Sequence, residues 1–532
     1  MKPLISRGAL YVLPVALLTL IPLAVVLASF LQPQPEIWEH LAEFVLPEVL
    51  RNTLWLVLGV GAGVLLLGAL LGWLTAVCEF PGRRFFAWAL MLPLAMPAYV
   101  LAFVMVGLLD YTGPVQTFLR ESFGEADWFP RIRSTGGVVL TLTLALYPYV
   151  YLMAREAFLS QGRRALEAAQ TLGLTRRQAF WRVALPMARP WLAGGTMLAL
   201  METLADFGTV AIFNFDTFTT AIYKSWLALF NLPAAAQLAS LLVLFVFVLA
   251  WLEAKSRGAR RFHGKGGQGA RIVLYGWPRW AAFGLCLTVL LVAFVIPALQ
   301  LLQWGIKVWA EEVDARYWGF VWHSLLLALL AALFVAAGAL LLTHFVRRFP
   351  DSVTQWLSRI AVLGYAVPGT VLAVGVFIPI AWLDDQLIAV VNALGGAETE
   401  VLKGTLAVML LALAARFMAV GVQPVEAAMQ RITRNQEDAA RSLGVTGRAL
   451  LWRLHLPMLR GGILSALLLV FVETMKEMPI TLMTRPFGWD TLAVRIFEMT
   501  SEGMWEQAAL PSLGIVLAGL VPVVILIRQT EK

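Results

Sequence analysis

The sequence predicts an all-α integral membrane protein of about twelve transmembrane helices, arranged as two parallel-repeat halves. Three observations predict it. The 532 residues are 60% hydrophobic and only 14% charged, with a mean hydropathy of +0.77, whereas a soluble domain carries about 25% charged residues. Apolar runs of about 20 residues, the length that spans a bilayer as a helix, recur throughout. A long segment of the first half also returns in the second at a fixed spacing.

The apolar runs fall at approximately 9–31, 53–78, 86–109, 136–154, 191–213, 234–252, 279–303, 322–346, 357–383, 403–422, 462–482 and 505–527. The first follows Lys2 and Arg7. It is too long for the apolar core of a signal peptide and no small-x-small cleavage site follows, so it reads as a retained span. With the N-terminus in the cytoplasm, about 30 of the 41 Lys and Arg fall on the cytoplasmic side, which fixes orientation and puts both termini inside. The acidic stretch 32–52 then lies outside, and the basic, Gly-rich stretch 253–271 lies inside near anionic headgroups. The organisation predicted is an N-terminal half at 1–252, a cytoplasmic linker at 253–278 and a C-terminal half at 279–532. The net charge of +8 follows membrane sidedness, so no nucleic-acid partner is inferred. Cys78 and Cys286 allow at most one bridge, and the five histidines show no ligand spacing.

LEAAQTLGLTRRQAFWRVALPMARP (166–190) matches EDAARSLGVTGRALLWRLHLPMLRG (437–461). Gly173 and Gly444, Pro186 and Pro457, and Trp181 and Trp452 are each 271 residues apart, as are Pro97 and Pro368, which read as helix kinks. Each half holds an even number of spans, so the copies run parallel about an axis along the membrane normal.

The same spacing pairs Glu202 with Glu473 and Asp206 with Glu477. Each half thus carries two carboxylates four residues apart on its fifth span, on one helical face. Ionisable residues in hydrocarbon mark a pathway or a partner. If the fifth spans line the path, these four acids face one another and attract cations. The alternative is structural: the acids bond Lys476, hydroxyls such as Thr203 and Thr209, and backbone amides. A spacing of 274 pairs FDTFTTAIY (215–223) with WDTLAVRIF (489–497), and so Asp216 with Asp490.

In the repeated segment the acid sits near the positive N-terminal end of a short amphipathic helix. Gly173 or Gly444 ends that helix, because glycine takes the left-handed cap conformation. A second, basic helix follows and ends at Leu-Pro before the next span. Two such surface helices, one per half, form a docking pair for a two-fold cytoplasmic partner.

These segments resemble the EAA loops of binding-protein-dependent ABC importer permeases. The resemblance covers both halves and implies the type I importer permease fold. It rests on Glu167, Ala168, Ala169, Gly173 and Pro186 in the first copy, and on Asp438, Ala439, Ala440, Gly444 and Pro457 in the second. The loops are then coupling helices that insert into two copies of a cytoplasmic ABC ATPase. The second copy departs from the pattern: Asp438 replaces the glutamate, and Gly447 stands where Arg176 stands in the first. The chain has no G-x-x-x-x-G-K-[ST] phosphate loop, so ATP is hydrolysed by the partner, and no catalytic residue or bound cofactor is expected here.

METLADFGTVAIFNFDTFTTAIYKSW (201–226) and ETMKEMPITLMTRPFGWDTLAVRIFEM (473–499) are similar to the fused, ferric-iron branch of that family. The likeness implies a periplasmic ferric-iron-binding protein and a bacterial inner membrane. Ferric iron is a hard cation suited to carboxylate oxygens, so Glu202, Asp206, Glu473 and Glu477 are candidate transient contacts. Relatives carry thiamine, phosphonates, sulfate or polyamines. The acids disfavour the anions by sign, and leave thiamine and polyamines open. A proton-coupled secondary transporter also suits twelve spans with membrane carboxylates, but gives no reason for two matched amphipathic loops.

Overall fold

A computed structural model describes residues 7–31, 35–124, 128–162, 169–257, 271–394 and 400–530. Among the described residues, apart from a two-residue parallel pairing of Cys78–Glu79 with Ile272–Val273, the regular structure is helical. Among the described residues ten helices are long and apolar enough to cross a membrane, running from Gly8–Leu31 to Leu451–Lys476. A shorter apolar helix, Ala509–Ile525, covers the last expected span.

Two kinds of expected span are interrupted. The run 86–109 is a short helix Arg83–Ala89, a tight turn at Leu92–Ala95 and a new helix from Ala98. The run 357–383 repeats this with Ser352–Ala361, Leu363–Ala366 and Gly369–Ala393. Pro97 and Pro368 are therefore not kinks within a helix. Each has extended ψ (146° and 143°) and stands just before the first helical residue, where the missing proline N–H leaves nothing unsatisfied. The fifth run of each half, 191–213 and 462–482, is likewise broken, at Asp206 and at Glu477.

The chain packs as two compact units, Met1–Trp38 with Ile222–Val243 and Val313–Phe497, and Glu39–Ala221 with Leu244–Glu312 and Glu498–Lys532. In the second of these, Leu46–Val77, Thr135–Ala157 and Leu185–Ala205 pack on one another. Small residues bring the backbones together: a Cβ on Gly68 would lie 2.7 Å from Val150 Cβ, and one on Gly72 2.8 Å from Ala154 Cβ. In the first unit Ala315–Arg348, Leu406–Gln430 and Leu456–Lys476 form the corresponding trio. There a Cβ on Gly421 would lie 2.6 Å from Val335 Cγ1.

Each trio has flanking helices from the other half of the sequence. Arg7–Ala28 packs on Ser352–Ala361 and Gly369–Ala393, with Thr19 donating to Ala361 O at 3.2 Å. Ile296–Glu312 packs on Ala509–Thr530 within the other unit. The halves 1–252 and 279–532 divide the sequence by its duplication; the compact units divide the packing differently. Of the linker 253–278, residues 258–270 lie outside the described residues.

Candidate functional site

The first repeated feature is the helix break. Leu185–Ala205 stops because Asp206 turns to extended backbone, with φ −65° and ψ 128°. Its carboxylate accepts from Thr209 Oγ1 at 2.9 Å and from the Val210 N–H at 3.2 Å, capping the short helix Gly208–Ile212. The Asp206 carbonyl accepts from Thr219 Oγ1 at 2.7 Å. Glu477 does the same in the other copy, with φ −73° and ψ 124°. It accepts from the N–H groups of Ile480 at 3.0 Å and Thr481 at 3.2 Å, at the start of Pro479–Thr484. Its side chain is buried, and a Cβ on Gly369 would lie 2.8 Å from Glu477 Oε1.

The expectation that Glu202 and Asp206, or Glu473 and Glu477, share one helical face is thereby corrected. In each pair the second acid has left the helix. The cause is local in the second copy: Pro479 cannot continue the helix of residues 456–476. A carboxylate two residues ahead of the new helix then takes its orphan N–H groups. Glu202 and Glu473 stay on their helices, both part-exposed, and Glu473 Oε1 lies 3.5 Å from Lys476 Nζ. Asp216 accepts from Thr220 Oγ1, and Asp490 pairs with Arg485, so the matched aspartates brace the chain after each break. Among the described residues no group of three or more His, Cys, Asp or Glu is disposed to hold a metal ion.

The second repeated feature is the turn ahead of each broken helix. Glu167 and Ala168 lie outside the described residues. From Ala169 the two copies share the bonds of the glycine cap and then diverge, Thr175 and Gln178 capping a helix in the first where Gly447 turns at φ +59° in the second. Gly173 has φ +86° and Gly444 φ +78°, each in open space. The N–H of Gly173 donates to Gln170 O at 3.0 Å and that of Leu174 to Ala169 O at 3.0 Å; Gly444 and Val445 repeat this onto Arg441 O at 3.0 Å and Ala440 O at 2.9 Å. Both are glycine caps that satisfy the last carbonyls of a helix.

The Leu-Pro signal reads differently in three dimensions. The basic helix does not end at Pro186 or Pro457. Each proline opens the next helix behind a widened turn, Phe180–Ala184 or Leu451–His455. Across those turns Leu185 N–H bonds Phe180 O and Leu456 N–H bonds Leu451 O, five residues back. Such a bulge lets a helix pass through a residue with no donor.

What holds each turn differs. Helix Arg434–Ser442 begins with a capping box of Thr433 and Gln436. Its buried acid is Glu437, while Asp438 is 66% exposed and pairs with Arg441 at 2.7 Å. Arg347 Nε donates to Glu437 Oε1, and Arg347 also donates to Met429 O and Ile432 O. His455 Nε2 is 3.2 Å from Glu437 Oε1, and His455 Nδ1 is 3.0 Å from His344 Nδ1. With Glu437 accepting from His455 Nε2–H, His455 Nδ1 is the acceptor and His344 Nδ1–H the donor. The residues 271 positions earlier are Leu166, Ala76, Ala184 and Trp73. Trp73 packs edge-on against Phe158 and Phe180, with centroids 5.2 and 4.6 Å away. The alignment of Asp438 with Glu167 hid Glu437. The available signal was that Glu437, Arg347, His344 and His455 are all polar where the other copy is apolar.

The comparisons with known proteins agree with both copies. The family described as "Binding-protein-dependent transport system inner membrane component" matches residues 65–261 and again 328–529. The chain is 27% identical over 493 residues to the Fe(3+)-transport system permease protein FbpB 2 of Haemophilus influenzae, covering 91% of this chain and 90% of that one. It is 24% identical to the ferric transport system permease protein FbpB of Actinobacillus pleuropneumoniae, over 72% of this chain and 57% of the other. The molybdenum transport system permease protein ModB of Escherichia coli is 28% identical over 188 residues, 35% of this chain and 80% of its own length. The two-fold match covers most of the sequence, and the chain belongs to the family of binding-protein-dependent transport system inner membrane components.

Proposed function

We propose that this chain is the membrane subunit of an ATP-driven ferric-iron importer, receiving cargo from a periplasmic binding protein and coupled to a pair of cytoplasmic ATPase subunits. The observation that carries the reading is the end-to-end similarity to a ferric permease, over 91% of this chain. The molybdenum relative corresponds to 35% of it.

The chemistry of the breaks refines the role of the acids. A carboxylate whose lone pairs are engaged by backbone N–H groups is a weak ligand for a passing cation. Asp206 and Glu477 therefore act as hinges that seat the short helices Gly208–Ile212 and Pro479–Thr484. Glu202 and Glu473, still on their helices and part-exposed, are the acids we assign to contact ferric iron in passing. Lys476 beside Glu473 lowers the local charge, which favours transient contact over chelation. The segments around Gly173 and Gly444 are the ATPase-docking turns, and both termini are cytoplasmic, as the distribution of Lys and Arg implies.

The test is uptake of radiolabelled ferric iron in cells lacking and regaining the gene, with a parallel ATP-depleted sample. Uptake restored by the gene and abolished by depletion is the expected result. An intact ATPase complex without iron uptake would redirect the substrate to thiamine or a polyamine. Uptake that survives depletion while a proton gradient is held would overturn the ATP coupling.

A further inference from the structure

The unit built on Leu46–Val77, Thr135–Ala157 and Leu185–Ala205 carries a groove of about 1270 Å³ next to its repeated turn. Its walls are apolar and include Leu66, Leu70 and Leu252, all exposed. Its floor includes the Trp73, Phe158 and Phe180 cluster. One wall is different. Arg182, Arg189 and Thr196 all line the groove and follow one another at intervals of seven residues, two helical turns. The sequence therefore sets two guanidiniums and then a hydroxyl along one stripe, beside walls made of leucine.

The polar groups on this stripe have no protein partner among the described residues. Neither Arg182 nor Arg189 forms an ion pair among the described residues. The Thr196 hydroxyl oxygen is buried and has no hydrogen-bond partner among them. Buried polar atoms of this kind call for a partner. An apolar surface in a bilayer is always covered by acyl chains, and that alone selects no lipid. Two cations at one end, a donor further along and an apolar trough select one class.

We propose that this groove is a binding site for a single anionic glycerophospholipid, with phosphatidylglycerol as the fitting headgroup chemistry. The phosphate sits against Arg182 and Arg189, the ester region accepts from Thr196, and the chains lie along Leu65, Leu66, Leu70 and Leu252. Basic pockets between transmembrane helices recognise anionic headgroups in this way. The occupant would fill the trough against the aromatic cluster that supports the first turn.

The experiment is native mass spectrometry of the purified, delipidated full-length chain, titrated with phosphatidylglycerol or with phosphatidylcholine of the same acyl chains. Each arginine near an anionic headgroup contributes about fivefold, so the first phosphatidylglycerol should bind roughly 30-fold more tightly than phosphatidylcholine. The double substitution Arg182→Gln with Arg189→Gln, on exposed side chains, should remove that preference. Ala193→Trp, which fills the groove and keeps both arginines, should remove the adduct. Equal binding of the two lipids, or a preference that survives the double substitution, would overturn the proposal. So would phosphatidylglycerol binding unaffected by Ala193→Trp, which would move the attraction to open surface. Glycerol phosphate should not displace the lipid; displacement would assign the site to a soluble phosphate ester instead.

Discussion

Among the described residues, the turn at Arg434–Ser442 is fastened to neighbouring helix ends by charge, and the turn at Gly173 by aromatic packing. In one, Arg347, Glu437, His455 and His344 form a continuous chain of polar contacts. In the other, Trp73 lies edge-on against Phe158 and Phe180. The backbones share three features: glycine caps at positive φ, the same pair of carbonyl bonds, and the same widened turn before Leu-Pro; they part at Gly447, at φ +59° where Arg176 already opens a helix. The difference teaches that the shape of the turn is what both copies must keep, and that its fastening is free to diverge. Charge fastens directionally and fails sharply when one member is lost; aromatic packing fails by degrees.

The largest expected effect breaks the charged fastening. Glu437→Ala leaves the buried His455 Nε2–H without its acceptor and strips the carboxylate from Arg347, which keeps only the Met429 and Ile432 carbonyls, and removing one partner of a buried pair costs up to about 3–5 kcal/mol. Thermal unfolding should show that loss, and ATPase stimulation by substrate should fall with it. Replacing the whole set by the residues of the other copy, with His344→Trp, Arg347→Ala, Glu437→Leu and His455→Ala together, should recover most of the stability, because an apolar replacement of a complete buried network is often neutral. A quadruple variant no more stable than Glu437→Ala would mean that the two fastenings are not interchangeable.

Next in size is the capping of the breaks. Asp206→Ala or Glu477→Ala strips the acceptor from the first turn of Gly208–Ile212 or Pro479–Thr484, and should cost about 1–3 kcal/mol each. Glu477→Ala should cost more, since Glu477 is buried while Asp206 is part-exposed, each accepting from the backbone and from a threonine hydroxyl of its new helix. Equal losses in parallel melts would show that burial does not separate the two copies. At the turns, Gly173→Val and Gly444→Val force a branched residue into left-handed backbone at about 1–2 kcal/mol each. Among the described residues nothing lies within 4 Å of a Cβ built on either glycine. The spans should stay folded, and ATP hydrolysis should uncouple from uptake in both. Coupling intact in both variants would remove the docking role.

Much of this was legible in the sequence, for physical reasons that differ by element. Span number and the duplication follow from apolar length and from spacing, which survive divergence. The glycine caps were legible because only glycine sits easily at positive φ. The broken fifth helix was not, although Pro479 announces it in one copy; Asp206-Phe207-Gly208 gives no such warning. The i,i+4 spacing of Glu202 and Asp206 presumed an unbroken helix, and a carboxylate is equally at home ahead of a helix start. Pro97 and Pro368 read as kinks within a helix, because a proline alone does not tell a bent helix from the start of a new one. Leu-Pro was misread because a widened turn absorbs the missing donor without ending the helix. The exchange of flanking helices left no trace in the sequence, since every flanking helix has a similar apolar composition.

The smallest effect separates Glu437 from its neighbour. Alignment with Glu167 makes Asp438 the acid of the motif, but Asp438 is 66% exposed and, among the described residues, paired with Arg441, itself half-exposed. Such a pair contributes about 0–1 kcal/mol, so Asp438→Ala should leave the melting temperature nearly unchanged. Its effect should appear instead in assembly: if Asp438 faces an ATPase subunit, the variant should bind that subunit more weakly, and more so as salt is lowered, where the wild-type contact is least screened. An Asp438→Ala protein with wild-type assembly at low salt would leave Glu437 as the acid that matters in this copy, acting through Arg347 and His455 rather than at the surface. The two copies would then differ not only in how the turn is fastened, but in whether its motif acid points toward the partner at all.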